Sequence, residues 1–125
     1  MSKLDNYSSQ LRSLEKAPEK DLSDDYIISA IKDKFAVQFE LSWKVMREAL
    51  LADGVSEAGL GTPRAVVKRA SIAWPELDEE VWLDMLKKRN MATHMYNEEL
   101  VKELVPLVIS SYIPEFQKLE ALLKI

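Results

Sequence analysis

Residues 25–52 read DYIISAIKDKFAVQFELSWKVMREALLA, and this stretch decides the fold. Its apolar side chains recur every three or four positions, which is the spacing of one helix face. They are Ile28, Ile31, Phe35, Phe39, Trp43 (with Ser42), Met46 and Leu50. Asp24 or Asp25 can cap the start, and Asp53-Gly54 can stop the end. A helix of this length spans about 42 Å, so we expect it to be the spine of a helical bundle.

Three further helices are predicted around this spine. Leu4, Tyr7, Leu11 and Leu14 form an apolar stripe on a first helix, which should end near Ala17-Pro18. After the spine, Thr62-Pro63 pairs a capping residue with a proline at the first helical position and opens a short helix to about Ala73. Asp78 is expected to cap a fourth helix, which should end near Arg89-Asn90.

A last helix is predicted from about Tyr96 or Asn97 to Leu123, with kinks at Pro106 and Pro114. Its apolar stripe consists of Val101, Leu104, Val108, Tyr112, Phe116, Leu119 and Leu123. Strand-like alternation is missing throughout the sequence. We therefore expect an all-α fold, an antiparallel up-and-down bundle of four to five helices, in a single domain over residues 1–125.

The amino-acid composition limits the classes of protein to which this chain can belong. At 125 residues the chain can bury one core, and with no cysteine it has neither disulfides nor a thiolate nucleophile. The start is polar, unlike a signal peptide, and no apolar run approaches the roughly 20 residues that span a bilayer, so we expect a cytoplasmic protein without a membrane partner. No His, Asp and Glu grouping has the spacing of a metal site, and we expect neither a metal nor a cofactor.

Charge is distributed unevenly along the chain. The net charge of −4 argues against indiscriminate nucleic-acid binding, yet two basic clusters allow a local phosphate site. One is Lys87-Lys88-Arg89, whose two lysines are weak candidates for substrate binding. The other is Arg64, Lys68 and Arg69, which favours a solvated face over contact with RNA or a partner.

Residues 89–96 read RNMATHMY and contain the only histidine, His94. On an unbroken helix, Arg89 and His94 would diverge by roughly 140°. Asn90 and Thr93 favour a turn, so we expect the chain to break here and to bring the two together. Taken alone, Arg89 is typical of the last turn of a helix, and a lone histidine such as His94 usually lies on the surface or caps a helix. Asn90 could either cap the helix or belong to the site.

Together these residue types suit RNA cleavage without a metal. That reaction needs a base for the 2′-hydroxyl, an acid for the leaving oxygen and a cation for the phosphate. Arg89 can supply the cation and His94 the acid or the base, while Asn90 and Thr93 can hold the loop or bind a phosphate oxygen. One histidine cannot serve both proton transfers, so the hypothesis favours a two-fold homodimer.

The motif Arg89, Asn90, His94 and Tyr96 resembles the Arg-x4-His-x-Tyr motif of HEPN domains. Phe39-Glu40-Leu41-Ser42-Trp43-Lys44 resembles the Phe-Glu-Leu-Ala-Trp-Lys segment of one branch, the nucleotidyltransferase substrate-binding proteins. Further segments stand between this one and the motif, in the order usual for that branch. They are Leu50-Leu51, Gly54, Thr62-Pro63 and residues 82–86, WLDML. The resemblance covers roughly residues 28–112. Lys34 and Ala36 depart from the branch's Arg and Glu, which puts any ion pair or partner contact there in doubt.

The resemblance implies an all-α dimer with its Arg-His loops near the interface, and a separately encoded minimal nucleotidyltransferase as partner. In the toxin-antitoxin members, the HEPN protein cleaves RNA and the partner silences it by transferring AMP to the motif tyrosine, here Tyr96. Two alternatives stay open. One is a non-catalytic subunit that binds nucleotide or substrate for the transferase, and the other is a plain helical interaction module. The chain has no nucleotidyltransferase motif of its own.

Overall fold

The computed structural model describes residues 2–94 and 98–123, without the side chains of Thr93 and His94. In these ranges the chain forms helices and no strand, so the all-α prediction is confirmed. The helices are α1 (Lys3–Leu14), α2 (Asp25–Ala52), α3 (Pro63–Ala73), α4 (Glu79–His94), α5 (Glu98–Leu107) and α6 (Ile113–Leu122). None of the helices in these ranges is both long enough and apolar enough to cross a membrane.

Helix α2 is the spine, with the bounds that its sequence predicts. The Asp24 carboxylate accepts a hydrogen bond from the Tyr26 backbone N–H, and Gly54 ends the turn after the helix with a φ of 90°. Helices α1, α3, α4, α5 and α6 all pack against α2. The predicted stripe is buried except for Trp43, which is only partly covered, while Gln38 and Val45 join the buried face.

Hydrogen bonds join α1 to the rest of the bundle. The Tyr7 hydroxyl donates to the Phe116 carbonyl at 2.6 Å, and Gln38 Nε2 donates to the Tyr7 carbonyl at 3.2 Å. Burial raises the pKa of Tyr7, so the hydroxyl remains a donor at neutral pH. These contacts tie α1, α2 and α6 together at one point of the core.

A buried carboxylate secures the start of α4. Glu115 Oε1 accepts from the backbone N–H of Asp78 at 2.8 Å and from Trp82 Nε1 at 3.1 Å. Asp78 itself caps α4 through the Glu80 N–H, as predicted. Glu115 is only 4 % exposed and pairs with the half-exposed Lys118 at 2.6 Å, so its charge is compensated from the surface of the bundle.

The C-terminal helix is interrupted as its prolines predict. Pro106 lies within α5, and a π-helical turn at Val108–Tyr112 separates α5 from α6. The Ile113 N–H bonds the Val108 carbonyl five residues back, and Pro114 has no N–H to continue a regular pattern. The predicted start at Tyr96 or Asn97 lies outside the described residues, which resume in α5 at Glu98.

The predicted end of the fourth helix was wrong. Helix α4 runs through Asn90 to His94 instead of stopping near Arg89-Asn90. The expected turn rested on Asn90 and Thr93, whose side chains can bond the nearby backbone. In the structure Asn90 Oδ1 instead accepts from Arg89 Nη1 at 2.9 Å, so the amide does not compete with the helical hydrogen bonds.

Candidate functional site

An open cleft of about 710 Å³ lies between the start of α3 and one side of α4. Helix α3 contributes its N-terminal turn, and α4 contributes residues on about three successive turns. The lining residues are Thr62, Pro63, Arg64, Glu80, Leu83, Asp84, Leu86, Lys87, Arg89 and Asn90. Two of the predicted motif residues, Arg89 and Asn90, therefore share a concave surface with three more charged side chains of α4 and Arg64.

Contacts with α2 and with its own helix hold Arg89 in place. Its Nη2 pairs with Glu40 Oε1 of α2, and its Nη1 donates to Asn90 Oδ1 at 2.9 Å. The guanidinium carbon lies 5.9 Å from the centre of the Phe39 ring, in the range of a cation–π contact. These contacts hold the guanidinium of Arg89 in a defined orientation at the cleft wall, where its positive charge can attract a phosphate.

Glu40 is a site residue that sequence reasoning missed. Its position four residues before Lys44 predicts a pair within the helix, and that ion pair is present with a separation of 4.0 Å. The carboxylate also joins α2 to α4 through Arg89, and Trp43 Nε1 donates to Glu40 Oε2 at 3.1 Å. The signal available in the sequence was the resemblance segment, which contains both Glu40 and Trp43.

A second polar cluster is centred on Asp84, one of the residues that line the cleft. The Tyr112 hydroxyl donates to Asp84 Oδ2, and Lys88 Nζ pairs with Asp84 Oδ1 at 3.0 Å. Burial alone would raise the pKa of Asp84, but the hydrogen bonds from Tyr112 and Lys88 outweigh it and lower that pKa. Burial and the Asp84 carboxylate both raise the pKa of Tyr112. At neutral pH an ionised Asp84 therefore lines the cleft, oriented by a protonated tyrosine.

Of the other predicted site residues, the structure describes the side chains of Lys87, Lys88 and Asn90 but not those of Thr93, His94 and Tyr96. Lys87 and Asn90 are exposed on the cleft, whereas Lys88 is half-buried against Asp84. His94 and Thr93 are in the last turn of α4, but their side chains are outside the described part of the chain, as is Tyr96. Because α4 continues through both residues, positions 89 and 94 are about 140° apart around its axis. The expected turn that would bring them together is therefore not in the described backbone.

The two departures from the branch pattern lie on α2 before Glu40. Lys34 Nζ donates to Ser13 Oγ of α1 at 2.9 Å, and Ala36 is half-buried one turn ahead of Glu40. Lys34 thus links α2 to α1 rather than to the cleft. Among the described residues, no group of three His, Asp or Glu side chains is arranged to hold a metal ion.

Comparison with known proteins agrees with the family branch that the sequence segments resemble. No curated protein matches the chain. A family described as nucleotidyltransferase substrate binding protein like matches residues 2–125. That description supports a partner subunit of a nucleotidyltransferase system, and it agrees with the HEPN branch whose segments surround Glu40 and Arg89. The chain belongs to the nucleotidyltransferase substrate binding protein like family.

Proposed function

We propose that this chain is the HEPN-type, toxin-like subunit of a two-component nucleotidyltransferase system and acts as a metal-independent endoribonuclease. The observation that carries the proposal is the placement of Arg89, which Glu40 and Phe39 hold on the wall of an open cleft. A cation oriented before substrate binds stabilises developing phosphate charge without reorganising during the reaction. Asn90 adds a further contact that steadies the same guanidinium.

The proposed active site includes a second copy of the chain. In one copy, neutral His94 removes the proton of the RNA 2′-hydroxyl, whose oxygen attacks the adjacent phosphorus. In the other copy, protonated His94 gives a proton to the departing 5′-oxygen, leaving a 2′,3′-cyclic phosphate and a free 5′-hydroxyl. Arg89 stabilises the charge on the non-bridging oxygens. A homodimer is part of the proposal because each chain has only one histidine.

The partner nucleotidyltransferase would silence this site by transferring AMP to Tyr96. The added phosphate carries negative charge and acceptor oxygens close in sequence to Arg89 and His94, and the adenosine adds bulk. The AMP would therefore compete with the substrate phosphate for the same cation. Mass spectrometry after co-expression with the transferase checks this step, and a Tyr96→Phe protein that still gains AMP would refute it.

Growth and RNA cleavage test the nuclease proposal. Expressed alone, the wild-type chain should arrest growth, whereas Arg89→Ala and His94→Ala should relieve the arrest and remain folded and dimeric by size-exclusion chromatography. Arg69→Ala is the matched control, since it removes an exposed arginine that does not line the cleft. Equal toxicity of all variants, or a harmless wild type that leaves RNA intact, would overturn the proposal.

A second candidate is a non-catalytic subunit that binds nucleotide for the transferase. The family description favours it, and a cleft of about 710 Å³ falls in the size range of small-molecule sites. Under this alternative, Arg89→Ala lowers nucleotide affinity while wild-type protein leaves RNA uncut. Wild-type protein that binds no nucleotide, with or without the transferase, would exclude it.

A further inference from the structure

Helices α3 and α4 meet in a register that places Arg64 on the cleft. Lys68 Nζ of α3 pairs with Glu79 Oε1 near the start of α4 at 3.3 Å. Arg64 precedes Lys68 by one turn and therefore lies on the same side of α3. It shares the cleft with Lys87, which is two turns beyond Glu79. Earlier residues of α3 thus face later residues of α4, as in an antiparallel pair.

The basic side chains around the cleft differ in their partners. Lys68, Lys88 and Arg89 each pair with a carboxylate. Arg64 and Lys87 are exposed, and within residues 2–94 and 98–123 neither forms an ion pair within 4 Å. Lys87 helps to lower the pKa of Asp84 only through the charge on its ammonium group, without an ion pair within 4 Å. The cleft therefore contains two cations that the surrounding protein leaves available to an anion.

The shape of the cleft favours an extended strand as the source of that anion. Its α4 wall runs from Glu80 to Asn90, about 15 Å along the helix, and it is open to solvent. Leu83 and Leu86 lie on the same wall and offer apolar surface to a base. A strand of RNA combines regularly spaced phosphates with flat apolar bases, so its chemistry matches this lining better than an acidic protein segment does.

We infer that Arg64 and Lys87 form a second phosphate subsite, which binds an RNA phosphate next to the one held by Arg89. The inference rests on the proposed function, since it assigns the neighbouring phosphate to Arg89. Neither Arg64 nor Lys87 takes part in the chemistry. Their role is to bind and align the strand, so their loss should weaken binding and leave the rate of the bound complex nearly unchanged.

Binding of a short single-stranded RNA with 2′-O-methyl groups, which block cleavage, tests the inference directly. Arg64→Ala and Lys87→Ala should each weaken affinity roughly fivefold at 0.1 M salt and reduce the slope of log affinity against log salt by about 0.7. Arg69→Ala is the matched control, because it removes the same charge from the same helix about 140° away and off the cleft. All four proteins should give the same far-ultraviolet circular dichroism.

The outcomes separate this inference from the proposed function. If wild-type protein cleaves RNA but Arg64→Ala and Lys87→Ala bind RNA as Arg69→Ala does, the subsite is refuted and the nuclease stands. If both variants weaken RNA binding while no cleavage occurs, the subsite stands and the nuclease falls. If they weaken binding of the purified nucleotidyltransferase and leave RNA binding unchanged, the cleft is a protein-docking surface and the inference is wrong.

Discussion

Replacing Glu40 by glutamine should release Arg89 from its ion pair while leaving the shape of the bundle intact. The amide oxygen of glutamine can still accept from Trp43 Nε1, as the carboxylate does at 3.1 Å. What disappears is the negative charge opposite the guanidinium. Arg89 would keep its contacts with Phe39 and Asn90, but its donors would be less firmly oriented.

The size of this effect follows from the burial of the pair. The side chains of Arg89 and Glu40 are only 25 % and 32 % exposed. Unit charges 4 Å apart attract by about 4 kcal/mol at an effective dielectric of about 20, and by about 1 kcal/mol in water. Lost hydration and side-chain ordering oppose that attraction. A net coupling free energy of about 1–2 kcal/mol remains, above the roughly 0.2–1 kcal/mol of exposed pairs.

A double-mutant cycle measures this coupling. Urea denaturation of the wild type, Glu40→Gln, Arg89→Gln and the double variant gives the four free energies of unfolding. The control cycle uses Lys3 and Glu48, whose ion pair is 3.0 Å long with side chains 51 % and 52 % exposed. Its coupling should stay below about 1 kcal/mol. If Glu40 and Arg89 are additive within about 0.3 kcal/mol, Glu40 does not hold Arg89 and the account of the site fails.

Two further predictions concern polar side chains that hydrogen-bond to α4 and its cap. Tyr112→Phe should destabilise the protein by about 1–2 kcal/mol at pH 7, measured by urea denaturation. Because hydrogen bonding lowers the folded pKa of Asp84, this loss of stability should shrink as the pH falls below about 4. A loss that stays constant from pH 7 to 3 would contradict the reasoning. Glu115→Ala should lower the free energy of unfolding by about 2–4 kcal/mol in the same assay, because buried Trp82 loses its hydrogen-bond acceptor. The exposed control Glu103→Ala should change it by less than about 0.5 kcal/mol. Equal effects of the two substitutions would refute the role of Glu115.

Most helix boundaries could be predicted because their signals are local. Asp24 and Gly54 bracket α2, and Thr62 with Pro63 starts α3. Caps, turn residues and apolar spacing act over one or two turns of chain, so they can be recognised without knowing the tertiary structure. The π-helical turn between α5 and α6 likewise lies between Pro106 and Pro114, where the prolines predicted an interruption.

The end of α4 was mispredicted because Asn90 has two competing partners. In isolation its side chain favours bonding the nearby backbone and ending the helix. In the folded chain Arg89 is already oriented by α2, and its guanidinium offers Asn90 a donor at 2.9 Å. The choice between a turn and a continuous helix therefore depended on a contact with a different helix.

The sequence by itself determined the helical class, the spine and most of the caps, and through its motifs it pointed to the family that the comparison shows. Only the tertiary structure decided that Glu40 orients Arg89, that Tyr112 bonds Asp84, and that the start of α3 forms a cleft with α4. Local signals depend on residues within a few positions of one another. These contacts join different helices, and their partners are separated by 28 positions (Asp84 and Tyr112) or 49 positions (Glu40 and Arg89) in the sequence. They form only when the buried faces of the helices pack together, and a short-range sequence pattern does not contain that information.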